Sequence, residues 1–402
     1  MSQQKQRFFG LDFVRAFVAL FVVLHHIYAI SPPAAWLVPL GSLGSLGVEL
    51  LFVLCGFFLG QSLLRMINEN RFSTRSDLIG LFSKRWLRIL PAYYFFLLVT
   101  AALFQPFFQL VFSHLEYFFF LQNFAWKMPS FYFQTWTLAV LEFFYILFSL
   151  SLYLCFKFSK SKLLSFTICL SLFWLIPLLL RAIFVPLLGV DDFEGTIRRW
   201  VIFRLDGPVA GVIMAVLMNE FPQVWSRLRA NSWLSLPLFG GTVIYHLAGY
   251  PLLHTSHWLE ILFYPAVCAS FALTLPLLLT WEDNRSLFGA GISFLSKLSY
   301  SIYVGHVAAI VLILNILVKT VHLDLKNCAV VYPACFSFII LVAWFSYTFI
   351  ELPFFTTAKS HTKSVFDYVY GFSRRSSARL AASLGFWTDK TPSPLLGNQP
   401  PA

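Results

Sequence analysis

Charge is the scarcest commodity in this chain. Asp, Glu, Lys and Arg make up 12% of its 402 residues, against 58% hydrophobic, about half the charged fraction of an ordinary soluble domain. With a mean hydropathy of +0.74, a water-surrounded globule is excluded and lipid is the expected solvent. Cysteine chemistry is also lacking. Cys55, Cys155 and Cys268 stand singly in apolar runs, and no CxxC or Cys/His cluster occurs, so neither a disulfide framework nor a metal site is indicated. Cys328 and Cys335 are seven residues apart, about 10 Å along one helix and too far for a bridge. No serine nucleophile elbow is present, and no repeat of about 20–50 residues suggests a solenoid. Acidic residues are outnumbered 18 to 29, giving a net charge of +11. In a membrane protein this reflects basic loops facing anionic lipid rather than nucleic-acid binding.

What the chain has instead is apolar runs of spanning length. They fall near 11–30, 46–64, 89–112, 135–156, 163–185, 203–219, 233–250, 259–280, 298–318 and 329–350. About twenty such residues cross a bilayer as a helix, so the fold class is all-α, a polytopic membrane protein with about ten spans. The first run is long and holds charges, and is expected to be a permanent helix rather than a cleaved signal. Twenty-two of the 29 basic residues fall on one side of this alternation, in stretches such as Arg65–Arg88, Lys157–Lys162 and the tail. That asymmetry places both termini in the cytoplasm. The remaining seven are Lys127, Arg181, Arg198, Arg199, Arg204, Lys319 and Lys326. Residues 1–356 form the membrane domain. Residues 357–402 form a tail, with a basic amphipathic stretch at 364–387 and a disordered end from 390. The aromatic stretch at 113–134, on the outer side, reads as re-entrant or interfacial.

The first span, LDFVRAFVALFVVLHHIYAI, carries four ionisable residues. Arg15 and His26 are eleven residues apart, about three turns and roughly 16 Å, so they point the same way within about 20°. His25 points about 80° away. Asp12, one turn before Arg15, can pair with it. Polar groups within a span face a bundle interior or a wet cavity rather than lipid. Other groups of this kind are Glu49, Glu142, Arg204, Asp206, His306 and Glu351. By depth, Glu142 is expected near His26, whereas Arg15, Arg85, Arg88 and Glu351 gather toward the cytoplasm. Two polar zones, one near each face, suggest a path through the bundle.

These residues stand in motifs that resemble one family in order along the chain. LDFVRAFVALFVVLH resembles the LDxLRaxAxxxVxxxH opening of the acyltransferase-3 integral membrane acyltransferases, with the Arg-x10-His spacing met by Arg15 and His26. GVELLFVLCGFFL is similar to the family's GVdlFFvlSGfli, with Cys55 where serine is usual, and KRWLRILPAYY resembles its RRxxRIxPxy. FLQNF (120–124), FRLDGPVAGVIMA (203–215), LSYSIYVGH (298–306) and IELPFF (350–355) follow in order. Two positions depart from the pattern. Trp136 and Tyr145 hold the register of WSLxVExxFY, but Leu141 takes the acidic position and Glu142 follows it. YVGH stands where YLWH is usual.

The resemblance implies an O-acyltransferase that moves an acyl group, often acetyl, from acetyl-CoA or another acyl-CoA to a hydroxyl of a glycan or glycoside, in the bacterial inner membrane. On that basis His26 is the candidate base or transient acyl carrier, with His25 as the other possibility. Glu142 and Asp12 join it as candidate catalytic groups. Arg15, Arg85, Arg88, Ser299 and Tyr300 are candidates for meeting CoA. His25, Trp136, Arg204, Asp206, His306 and Glu351 are candidates for acceptor contacts or structural polarity. No metal is expected. The partners implied are acyl-CoA, a glycan or glycoside acceptor and the bilayer, with no nucleic acid and no signal for oligomeric state. Rival readings are a transporter or flippase built on ten helices with buried charge, an enzyme acylating a secreted small natural product, and an inactive relative.

Overall fold

The computed structural model describes residues 8–31, 38–103, 114–188, 195–248, 257–282, 286–354 and 356; the tail from 357 lies outside them. Among the described residues every regular element is helical: α1 (Phe9–Ile30), α2 (Val38–Asn68), α3 (Arg75–Leu103), α4 (Trp136–Ser159), α5 (Lys162–Leu188), α6 (Val201–Arg204), α7 (Val209–Glu220), α8 (Pro222–Ala230), α9 (Ser235–Leu247), α10 (His257–Ala272), α11 (Leu275–Leu278), α12 (Leu287–Lys319) and α13 (Cys328–Ser346). A π-helical turn, Tyr347–Glu351, continues α13. Nine helical segments among the described residues are long and apolar enough to cross a membrane, so the chain is an all-α polytopic membrane protein.

Local chemistry sets the helix ends. Before α3, the Thr74 N–H donates to Asp77 Oδ2 at 2.8 Å and the Asp77 N–H to Thr74 Oγ1 at 3.2 Å, a reciprocal cap that satisfies two otherwise orphaned donors. Ser286 caps α12, its Oγ accepting from the Gly289 N–H at 3.0 Å. The expected span at 203–219 is divided: Leu205-Asp206-Gly207-Pro208 separates α6 from α7, because proline has no N–H to continue a helix. The run expected at 233–250 yields only the 13 residues of α9, after a 3-10 turn at Ser232–Leu234. That is about 20 Å of helix, short of a full crossing on its own; residues 249–256 are outside the described set.

The bundle is sorted by burial. Of the apolar window in the α6–α7 span, 72% is buried, whereas the α5 and α13 windows are each 28% buried. α7 is therefore central, and α5 and α13 are peripheral. α5 turns Leu172, Leu175, Ile176, Leu179 and Ile183 outward, a composition that suits hydrocarbon and not water. α1 packs between α2 and α12, and α2 packs along α7. The α2–α7 contact depends on missing side chains: a Cβ on Gly56 would stand 1.9 Å from Pro208 O, and one on Gly211 1.9 Å from Val53 O. Backbones in membranes pack this closely only through small residues. Gly211→Leu should therefore drive the two helices apart, at a cost of at least about 1–3 kcal/mol for overpacking. The check is a lowered unfolding temperature in detergent together with loss of the monodisperse peak on size exclusion.

Basic residues gather where α2 ends and α3 begins (Arg65, Arg71, Arg75) and on α8 (Arg227, Arg229). These residues mark the basic end of the bundle, and α1 ends at the opposite end.

Candidate active site

Toward the opposite end, α1 and α12 bring two imidazoles together. His26 Nδ1 lies 2.8 Å from Val22 O, one turn back on its own helix. It is also 3.2 Å from Nε2 of His306. His306 is fully buried, and its Nδ1 lies 2.8 Å from Tyr303 O and 3.1 Å from Ile302 O. The two ring centroids are 4.8 Å apart. His25 turns elsewhere, its Nδ1 donating to Gly41 O of α2 at 3.0 Å. Of the two neighbouring histidines, His26 is the one that joins the interior pair.

The aromatic stretch folds down over this pair. Phe133 places its ring 5.4 Å from that of His26. Buried amides and phenols hold the stretch in place. Tyr93 and Tyr94 of α3 donate to Tyr117 O and Phe118 O, each at 2.8 Å. Tyr132 OH and Gln134 Nε2 reach Val304 O at 3.3 and 3.4 Å, and Tyr303 OH bonds both Thr137 Oγ1 and Gln134 O. Asn123 Nδ2 donates to Trp136 O at 3.1 Å and to Arg199 O at 2.5 Å. Burial pushes the Tyr117 phenol above its ordinary range, so it stays neutral and donates to Pro129 O at 2.9 Å. The segment packs Tyr117, Phe131 and Tyr132 against the bundle and leaves Leu115, Phe119 and Trp126 exposed.

A second group lies toward the basic end. Arg85 grips Glu142 Oε1 through Nε at 2.8 Å and Nη2 at 2.7 Å. Trp86 Nε1 donates to Glu142 Oε2 at 3.1 Å, and the Arg85 guanidinium stacks 4.2 Å over Tyr145. The sequence places Glu142 at the depth of His26; its carboxylate instead belongs to the Arg85 group, because α3 carries that arginine inward to meet α4. One residue on from the position occupied by Leu141, the rotated carboxylate has found a complete set of donors. Cys55 is close enough to feel the charges of Arg15, Arg85 and Arg88, so all three cations border one region. The Arg15 guanidinium sits 4.5 Å over Phe58 and 4.0 Å from Asp12. The nearer partner of Asp12 is Ser296 of α12, whose Oγ donates at 2.6 Å. Ser299 turns its hydroxyl back to Ser296 O at 2.9 Å. Glu351 is buried on the π-helical turn and accepts from Ser301, which also reaches Ser346 Oγ at 2.9 Å; such wide turns recur at functional sites.

Between the groups stands Tyr300. Its hydroxyl donates to Ile89 O at 2.7 Å, and it lies within electrostatic reach of Glu142, Glu351, Tyr132 and Tyr93. Gly305, at the departure from YLWH, has its missing side chain replaced by Phe96 of α3, whose ring would be 2.5 Å from a Cβ there. Phe96 also lines an all-apolar crevice of about 430 Å³ between α3 and α13, with Phe95, Val99, Leu341 and Phe345.

Arg204 and Asp206 belong to a third, buried group. Arg204 pairs with Glu49 and donates to Arg198 O at 3.2 Å. Arg181 Nη2 meets Asp206 Oδ2 at 2.6 Å. Arg198 Nη2 donates to Ser45 O at 2.6 Å, with its guanidinium 5.7 Å from the Trp136 ring. Sequence reasoning misses Tyr132, Tyr303, Gln134, Ser296, Ser301 and the roles of Arg181 and Arg198. The aromatic stretch is the one signal that points to some of them.

An imidazole pair toward one end of the bundle and a cluster of cations toward the other suit transfer of a group between an anionic donor and an acceptor with a labile proton. Among the described residues no cluster of His, Cys, Asp and Glu could hold a metal ion. Neither the curated proteins nor the solved structures contain a match to the chain. The family model Acyl_transf_3, described as an acyltransferase domain, matches residues 8–348. That match spans most of the bundle and nearly every group described above: the chain belongs to the acyltransferase-3 family and is a multi-pass membrane enzyme that transfers acyl groups.

Proposed function

We propose that the chain is an O-acyltransferase that moves an acyl group, acetyl in the first instance, from acyl-CoA to a hydroxyl of a glycan or glycoside at a bacterial plasma membrane. The observation that carries this reading is the alignment on α1 of Arg15 with the Arg85 group and of His26 with His306, one toward each end of the bundle. Acyl-CoA enters from the basic, cytoplasmic end. Arg15, Arg85 and Arg88 meet its phosphates, for which guanidinium groups are suited by their fork of donors. The thioester reaches inward past Tyr300. The acceptor enters from the opposite end, beneath the aromatic stretch, where rings can stack on the apolar faces of a sugar. His26 takes the hydroxyl proton as the oxygen attacks the thioester carbonyl. The C–S bond breaks, and the imidazolium returns the proton to the CoA thiolate. Mass spectrometry of surface glycans from cells with and without the protein tests this: a base-labile acetyl group present only with the protein supports it, and transport of label with no ester formed would defeat it.

The Arg85–Glu142 pair separates two roles for Glu142. If the carboxylate fixes Arg85 for the donor, Glu142→Gln removes a charged hydrogen-bond partner, worth about 1.5–3 kcal/mol. The expected result is a rise of about ten-fold or more in KM for acetyl-CoA with kcat nearly unchanged. A fall in kcat at constant KM would place Glu142 at the chemical step instead.

A further inference from the structure

We infer that His306 is the positioning residue that, together with the Val22 carbonyl, holds the ring and tautomer of His26, making Nε2 of His26 the nitrogen that takes the acceptor's proton. The inference rests on the reading of His26 as the base, and it follows from which atoms face each ring nitrogen.

A backbone carbonyl can only accept a hydrogen bond. His306 Nδ1 faces two, Tyr303 O at 2.8 Å and Ile302 O at 3.1 Å, so it carries the proton. In a neutral ring the lone pair is then on Nε2. That nitrogen points at His26 Nδ1, 3.2 Å away. His26 Nδ1 in turn faces Val22 O at 2.8 Å, so it also carries a proton, shared between the Val22 carbonyl and His306 Nε2. The lone pair of His26 is left on Nε2, to which no described residue is hydrogen-bonded. The ring is thus oriented in a single sense, and which nitrogen of a histidine is basic is set by the hydrogen bond that the other one makes.

The arrangement does the work that a carboxylate does beside the histidine of a hydrolytic triad, with a neutral ring in its place. When the acceptor's O–H bond breaks, the proton goes to His26 Nε2. The imidazolium that results strengthens its Nδ1–H bond to His306 Nε2, and no proton passes to His306. A neutral partner suits a buried site where a second carboxylate would itself need compensation. The supporting chain is short and rigid: His306 is held by its own helix, and the neighbouring Val304 carbonyl is tied to Tyr132 and Gln134.

Two variants test this in membranes bearing the natural acceptor, with acetyl-CoA consumption and base-labile product as readouts. His306→Leu removes the side-chain acceptor for His26 Nδ1 and leaves only the Val22 carbonyl on its own helix. It should lower kcat about 10–100-fold, part of the 10²–10⁴ supplied by general base catalysis as a whole, with KM for acetyl-CoA within about two-fold. His306→Gln, whose side-chain carbonyl can accept the same hydrogen bond, should recover most of that loss. Unchanged kcat in His306→Leu, in a preparation where His26→Ala is inactive, would overturn this inference while the reading of His26 stands. Equal losses in both variants, matched by equal falls in unfolding temperature, would overturn it in favour of packing. An active His26→Ala would instead remove the reading on which it rests.

Discussion

Replacing His26 with alanine should abolish acyl transfer while leaving the bundle folded. General base catalysis contributes about 10²–10⁴ in rate, and His26 is the imidazole that the fold turns toward both His306 and the Phe133 ring. The substitution removes a hydrogen bond to Val22 O, which the helix already satisfies through its own ladder, and one to His306 Nε2, which is left buried without it, so the stability change should be about 1–3 kcal/mol. The measurement is acetyl-CoA turnover per folded protein, with the folded amount taken from fluorescence-detected size exclusion. The control is His25→Ala. His25 bonds Gly41 O across the α1–α2 contact, so its loss should lower the unfolding temperature slightly and leave turnover within a few-fold of the parent. If both alanine variants turned over equally, the assignment of chemistry to the α1 stripe would be wrong.

That stripe is legible in the sequence alone, because it depends only on helical phase. Eleven residues bring Arg15 and His26 round to one face, and the burial of Val18 and Val22 between them is what a face turned inward requires. The partner of His26 is not legible. His306 is 280 residues away, and no periodicity within α1 or α12 states that the two helices touch. Glu142 shows the same limit from the other direction. Counting residues from the outer end of its helix gives it the depth of His26, but a count does not include the reach of Arg85, which approaches from the other end of the bundle to take the carboxylate.

Two further differences separate sequence and fold. Arg181, Arg198 and Arg204 sort by alternation with the few basic residues of the outer side, yet all three are buried. The positive-inside rule speaks of loop charges, and these are interior charges held by carboxylates, carbonyls and aromatic faces. The apolar run at 233–250 reads as a full span because hydropathy registers composition, while the described helix there covers only Ser235–Leu247. For the arginines the sequence states what a residue prefers, and the tertiary partner decides where it lies.

The buried charges carry the second large prediction, on stability. Arg204→Leu should cost about 3–5 kcal/mol, the usual result of removing one partner from a buried pair, and so a large share of a total of about 5–15 kcal/mol. Glu49 would be left fully buried, with Arg198 Nε 3.9 Å from its Oε1 and the Cys268 thiol 3.6 Å from its Oε2. The penalty is the desolvated, poorly compensated carboxylate and not the loss of attraction as such, and this distinguishes it from ordinary packing loss. Glu49→Leu combined with Arg204→Leu should therefore be more stable than Arg204→Leu alone, since exchanging a buried pair for apolar side chains is often near neutral. Unfolding temperatures of the two single variants and the double variant close the cycle. A double variant no more stable than Arg204→Leu would show that the guanidinium is needed for its contacts with Arg198 O and the rings of Tyr264 and Phe52, and not as the counter-charge to Glu49.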